Sequence, residues 1–190
     1  MSLAAFLIGF LFFGSCQRAS PPSLGKIPEF KATAVTVQRV GPLGGGELLG
    51  EPWIGSFLFT SCRGPCLMLA GHLSRLQEQL PASVRLVTFS VDPERDTPKE
   101  LQDYARRFKA DPARWIFLRL DRKNLYSLLR DGFKLALAKN PDAPAGFEFT
   151  HSTKFVLVDG QGFIRGYYDS ENPKDLKRLI RHTEVLGARH

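Results

Sequence analysis

The sequence predicts an α/β protein in which helices cover both faces of a mixed central sheet. Apolar runs at residues 53–59, 84–91 and 115–119 have the length and composition of buried strands. Helical patterns separate these runs, and the last two predicted strands flank the turn Asp159-Gly160-Gln161-Gly162, which suits a hairpin. Strands that alternate with helices and then end in an antiparallel hairpin predict a sheet that is partly parallel and partly antiparallel.

The first half of the chain supplies a short strand, a buried strand and a helix. Alternating apolar residues predict a strand at 32–40, and the glycine-rich residues 41–50 predict a turn. The run at 53–59 then leads into Thr60-Ser61-Cys62-Arg63-Gly64-Pro65-Cys66. An amphipathic pattern follows and predicts a helix that begins near Cys62, with Pro65 in its first turn. The apolar positions of this pattern are Leu69, Leu73, Leu76 and Leu80.

The second half begins with the strand at 84–91 and the loop Asp92–Pro98. Thr97 has the position of a helix N-cap, Pro98 that of the first helical residue, and Glu100 that of the capping-box partner. We therefore interpret this loop as a turn that leads into a helix rather than as a set of acidic metal ligands. The remaining predicted elements are a strand at 115–119, a short helix at 124–130, hairpin strands at 153–158 and 163–168, and a helix at 173–187. This element order is thioredoxin-like.

Composition excludes some partners and bounds the number of domains. The chain has 190 residues, a net charge of +7 and 43% hydrophobic residues, which predicts a single folded domain. Its basic residues are scattered in small groups and are not interleaved with aromatic residues, so we expect no nucleic-acid partner.

The amino terminus has the pattern of an export segment. Residues 3–13 are almost entirely apolar but too few to span a bilayer comfortably. Gly14-Ser15-Cys16 follows and resembles the lipobox of bacterial lipoproteins, in which the cysteine carries lipid; an ordinary signal peptide or an uncleaved anchor is the alternative. We expect an anchor segment at 1–16, a flexible tether at 17–30 and one domain at 31–190, located outside the cytoplasm and attached to the membrane.

Cys62 and Cys66 are the residues whose side chains predict a reactive or metal-binding site. At positions i and i+4 of a helix, their Cβ atoms would lie roughly 6 Å apart on one face. The positive end of the helix dipole would lower the pKa of the thiols and favour thiolates, which bind metals or attack disulfides. The spacing therefore predicts a soft-metal site or a redox site.

The chain resembles the Sco/SenC proteins, which assist cytochrome c oxidase assembly. The resemblance rests on the cysteine motif at 57–66, on Ser90-Val91-Asp92-Pro93-Glu94-Arg95-Asp96-Thr97-Pro98, and on the segment 150–159 that contains His151. It implies a thioredoxin-like fold and a copper site formed by Cys62, Cys66 and His151. It also implies delivery of copper to a copper-acceptor subunit of a terminal oxidase or of another cuproenzyme. Two thiolates and one imidazole suit Cu(I), and three donors leave room for a ligand of the acceptor.

Two alternatives to copper delivery stay open. In one, the protein is an enzyme, a thiol–disulfide oxidoreductase in which Cys62 and Cys66 reduce the cysteines of the copper acceptor and His151 is dispensable. In the other, the fold is a binding module with inert thiols.

Arg63 is a departure from the family pattern, because the family commonly has proline directly after the first cysteine. Its guanidinium is expected to lower the pKa of the thiols and to weaken their attraction for a cation, which favours thiol exchange. The other histidines, His72, His182 and His190, are expected to be structural or solvated rather than ligands.

Overall fold

The structure, a computed structural model, describes residues 19–140, 142, 149–150 and 152–188. Seven strands form one mixed sheet in the order β2-β1-β5-β4-β3-β8-β9. Strands β3, β4 and β5 are parallel, and the outer strands on both sides are antiparallel to their neighbours. The strands are β1 (Lys31–Val35), β2 (Val40–Gly44), β3 (Trp53–Leu58), β4 (Arg85–Ser90), β5 (Trp115–Arg119), β8 (Lys154–Val158) and β9 (Ile164–Asp169), and a separate pair is formed by β6 (Ala138–Lys139) and β7 (Phe149–Thr150).

Four α-helices accompany the sheet within the described residues: α1 (Pro65–Leu76), α2 (Pro98–Arg107), α3 (Arg122–Ser127) and α4 (Pro173–Gly187). A 3-10 helix spans Gly45–Leu48, and a π-helical turn at Leu128–Gly132 extends α3. No helix in this part of the chain is long and apolar enough to cross a membrane.

Side chains alternate between the two faces of β3 and β4, and this divides the core into two layers. On one face an aromatic cluster packs Trp53 and Phe57 against Phe89 and Phe133, with ring centroids 5.0–6.3 Å apart. On the other face Ser56 and Thr88 share a buried hydrogen bond of 2.9 Å, and the indole Nε1 of Trp115 donates to the Thr88 hydroxyl at 2.8 Å. The predicted mixed sheet is therefore confirmed.

Two predicted elements before β3 differ from the structure. The strand expected at 32–40 is in fact the hairpin β1–β2, because Thr36 makes the turn: its hydroxyl accepts from the backbone of Gln38 and Arg39. Residues 41–50 are accordingly not only a turn, since they contain β2 and the 3-10 helix.

Part of the segment that we expect to be a flexible tether, residues 17–30, packs against the folded domain. Residues 20–30, which we call the N-terminal strap, pack against the start of β9. The backbone N–H groups of Leu24 and Ile27 each donate to the hairpin at 2.8 Å, and Ile27 and Phe30 are buried. The side chain of Arg165 donates to the Ser20 hydroxyl at 3.0 Å. The side chains of Ile27 and Phe30 belong to the hydrophobic core. The expected anchor segment, including Cys16, lies outside the described residues.

Candidate functional site

The two cysteines lie where β3 leads into α1. Strand β3 ends at Leu58, and α1 begins at Pro65, so Cys62 lies in the intervening turn and Cys66 in the first helical turn. The backbone N–H of Cys62 donates to the carbonyl of Phe59 at 3.3 Å. The helix therefore begins three residues later than predicted, because proline is well suited to the first helical position. Cys62 is 5% exposed and Cys66 is fully buried, and both are thiols rather than a disulfide.

The two thiols are in direct contact, and this determines how they ionise. A hydrogen bond with Cys62 and burial raise the pKa of the Cys66 thiol, and the negative charge of Asp96 acts in the same direction. The expectation that the helix N-terminus lowers the thiol pKa is thus wrong for Cys66. The reason is that one thiolate beside another, away from water, outweighs the helix dipole.

Asp96 holds the turn that carries Cys62. Its buried carboxylate accepts from the Thr60 backbone N–H at 3.1 Å, from the Thr60 hydroxyl at 2.6 Å and from the Ser90 hydroxyl at 2.6 Å. Burial raises the pKa of Asp96, although the bonds from Ser90 and Thr60 partly oppose this shift. The loop also contains the predicted cap: the Thr97 N–H donates to Glu100 at 2.7 Å, and Glu100 N–H donates to the Thr97 hydroxyl.

Tyr104 closes the site from α2. Its hydroxyl donates to the backbone carbonyl of Cys66 at 3.2 Å, and burial raises the pKa of Tyr104, with the nearby thiols adding to the shift. The roles of Tyr104 and Asp96 were not predicted from the sequence. A signal for Tyr104 was available, since it lies on the apolar face of α2 with Leu101 and Ala105.

The structure does not test the predicted three-ligand site, because His151 lies outside the described residues. Among the described residues no three His, Cys, Asp or Glu side chains cluster as metal ligands would. Strand β8 nevertheless begins at the same end of the sheet as the cysteine turn. Strands β3 and β8 are antiparallel, with Gly55 opposite Val156. The first residue of β8, Lys154, therefore lies at the end of the sheet where β3 ends.

The two other histidines that the structure describes have structural positions of their own. His72 is half-buried and its Nδ1 lies 3.2 Å from the side chain of Arg75, in line with a structural position. His182 was expected to be solvated, but it is half-buried and its Nδ1 lies 2.6 Å from the Tyr168 hydroxyl. His190 lies outside the described residues.

Comparisons with known proteins agree on one family. The SCO1/SenC family model matches residues 28–184. The SCO1 protein homolog of Bacillus subtilis (strain 168) is 33% identical over 131 residues, which is 66% of this chain and 66% of that protein, or slightly less than two thirds of its length.

Solved structures give the same answer for the fold. A SCO1/SenC family lipoprotein from Bacillus anthracis str. Ames matches with a TM-score of 0.77 and 26% identity, over 88% of this chain and 99% of that one. BsSco, a member of the Sco family of cytochrome c oxidase assembly proteins studied for a disulfide switch, matches with a TM-score of 0.75 and 26% identity, over 92% and 99%.

A copper-bound structure is also similar. Bradyrhizobium japonicum ScoI with copper bound matches with a TM-score of 0.70 over 85% of this chain and 99% of that one, and its 19% identity shows the fold alone. The thioredoxin-like α/β fold is thus confirmed. The chain belongs to the SCO1/SenC family.

Proposed function

We propose that this protein is a Sco-type copper metallochaperone, in which Cys62, Cys66 and His151 bind one copper ion. It would deliver the ion to the copper centre of a cytochrome c oxidase subunit or of a similar cuproenzyme. The observation that carries the proposal is the direct contact between two buried thiols at the junction of β3 and α1.

The donor set fits a soft metal ion. Two adjacent sulfurs become strong ligands once both protons leave, and soft thiolates select copper(I) over hard cations. Because burial and the hydrogen bond with Cys62 raise the pKa of the Cys66 thiol, copper has to displace a proton from this sulfur when it binds. A relative that is 32% identical over 136 residues, the putative copper-binding protein of Stutzerimonas stutzeri, supports this choice.

The third ligand is proposed from chain topology. Lys154 is the first residue of β8, and it lies at the end of the sheet where β3 ends and the cysteine turn begins. His151 precedes Lys154 by three residues, which leaves at most about 10 Å of extended chain between them. An imidazole would complete a trigonal donor set and leave one side open for a ligand of the acceptor.

We further propose that the protein acts outside the cytoplasm, attached to the membrane through its N-terminal segment, with lipid on Cys16. The similarity to a SCO1/SenC family lipoprotein supports this arrangement. Mass spectrometry of the exported protein tests it, because acylation adds a defined mass to a fragment that begins at Cys16. An exported chain with an unmodified Cys16 would contradict lipidation.

An anaerobic copper(I) titration of the reduced protein tests the metal site. We expect saturation at about one equivalent, loss of binding in Cys62→Ser and Cys66→Ser, and weaker binding in His151→Ala. The matched control is His72→Ala, a half-buried histidine on α1 that should leave binding unchanged. Saturation far below one equivalent, or equal affinity in His151→Ala and the wild type, would contradict the proposal.

One observation also favours the thiol–disulfide oxidoreductase. Because Cys62 and Cys66 touch, they can close into a disulfide and deliver two electrons to the cysteines of an acceptor. Turnover in an acceptor-thiol assay that survives His151→Ala would support this enzyme. Stoichiometric copper binding with negligible turnover would support the chaperone.

A further inference from the structure

The residues between the two cysteines form the surface that any partner must meet. Cys66 is fully buried and only Cys62 retains some exposure, at 5%, whereas Arg63 and Pro65 are exposed. A sulfur or a metal ligand of a partner therefore reaches Cys62 first. Arg63, the next residue in the chain, is exposed beside it.

Arg63 has no charged partner among the residues that the structure describes. Among the described residues its guanidinium forms no hydrogen bond and no ion pair. Two arginines at the loop Asp92–Pro98, in contrast, form ion pairs. The Nε of Arg95 lies 3.4 Å from Oδ2 of Asp92, and Nη1 of Arg122 lies 2.9 Å from Oε1 of Glu94. The carboxylate of Asp96, which holds the cysteine turn, is buried and accepts from Thr60 and Ser90.

Two exposed apolar residues, Pro65 and Met68, follow Arg63 in the chain. Met68 is 52% exposed, the largest such value among the exposed large hydrophobic side chains of the described residues. It lies three positions after the exposed Pro65, so both are on the same side of the first turns of α1. The exposed residues near the two cysteines in the chain thus include a guanidinium that has no partner among the described residues and a small apolar surface.

We infer that Arg63 is a specificity-determining residue that selects partners with an anionic group beside their reactive sulfur or metal ligand. The inference rests on the proposed function and names the partner class: an acidic protein surface with a short apolar contact. Arginine is suited to this role because its planar guanidinium binds a carboxylate through two parallel hydrogen bonds. A proline at this position could not do so, since its side chain has no hydrogen-bond donor.

Thiol–disulfide exchange with small charged disulfides tests the inference without metal. One protein thiolate attacks the S–S bond of the probe, forms a mixed disulfide and releases one probe thiolate. The second protein thiol then displaces the other probe thiolate. The protein is oxidised to the 62–66 disulfide, the probe is reduced to two thiols, and the protein protons go to solvent or to these products.

Three probes separate charge from reactivity. They are 5,5′-dithiobis(2-nitrobenzoate), which is anionic, cystamine, which is cationic, and neutral 4,4′-dithiodipyridine. In Arg63→Gln we expect the rate with the anionic probe to fall about fivefold at low salt, and the rate with the cationic probe to rise, from the loss of one charge contact in water. The differences should shrink strongly at about 1 M salt, where the Debye length is about 3 Å.

Two further variants complete the test. Arg63→Lys should retain most of the preference for the anionic probe, and Arg39→Gln should change none of the rates. Arg39 is an exposed cation in the β1–β2 turn, which lies at the other end of the sheet from the cysteines.

Equal changes with all three probes would mean that Arg63 acts only on the reactivity of the thiols, and would overturn the inference, as would unchanged rates. The copper titration can fail while the charge preference persists, and the reverse also holds, so the two proposals are tested separately.

Discussion

Asp96 offers the sharpest test of how the cysteine turn is held. Its carboxylate accepts three hydrogen bonds: from the Thr60 N–H at 3.1 Å, the Thr60 hydroxyl at 2.6 Å and the Ser90 hydroxyl at 2.6 Å. Asp96→Ala leaves these donors without an acceptor, and each buried unsatisfied group costs about 1–3 kcal/mol. Removing a carboxylate that burial disfavours offsets part of this sum. We therefore expect a net loss of about 3–5 kcal/mol, a large share of the stability of a typical domain.

Urea unfolding of the reduced protein measures this loss. We expect a lower midpoint with an unchanged m-value, which indicates a change in stability rather than in unfolded-state compactness. Asp103→Ala is the control, since this exposed carboxylate on α2 forms only surface ion pairs with Lys99 and Arg106, and its midpoint should not move measurably. If Asp96→Ala unfolds at the wild-type midpoint, the three hydrogen bonds do not stabilise the turn as argued.

The pH dependence of Asp96 provides a second check on the same residue. Because burial raises its pKa in the folded protein above the ordinary 3.8, its contribution to stability is greatest below that value and is lost as the pH rises through the raised pKa. Asp96→Asn does not titrate, so the stability advantage of the wild type over this variant should shrink as the pH rises from about 4. An advantage that grows with pH would contradict the direction of the shift.

Two further predictions concern other parts of the domain. Thr88→Val keeps the shape of the side chain but removes the partner of Ser56 and of the Trp115 indole; we expect a loss of about 2–4 kcal/mol in urea unfolding, and a wild-type midpoint would contradict it. Burial lowers the pKa of His182 from 6.5, so the stability that depends on its neutral form should be lost as the pH falls below that value. His182→Gln should reduce this loss between about pH 7 and 5.5, whereas an unchanged acid dependence would show that the contact with Tyr168 is not responsible.

Elements that depend on local pattern could be predicted from the sequence. The strand at 115–119 and the helix at 173–187 have the predicted bounds, because a short apolar run and a proline-led amphipathic stretch are local signals. The capping box at Thr97 is confirmed for the same reason. The sequence pattern predicts that α1 begins near Cys62, but the helix begins at Pro65, although proline itself indicates the first helical position.

Features that depend on distant partners could not be predicted. The N-terminal strap is rich in proline and serine, and its hydrogen bonds with Gly162 and Ile164 join residues that are far apart in the sequence. Asp96 is separated from Thr60 by 36 residues, and no short motif relates them. The raised pKa of the Cys66 thiol likewise follows from burial and from contact with Cys62, neither of which is readable from spacing alone.

The two tryptophans lie on opposite faces of the sheet, which makes each of them a separate optical reporter. The Trp53 indole packs among phenylalanine rings, whereas the Trp115 indole donates to Thr88 in the other layer. Fluorescence from single-tryptophan variants would therefore show whether the two layers lose their packing together or one after the other as denaturant is added.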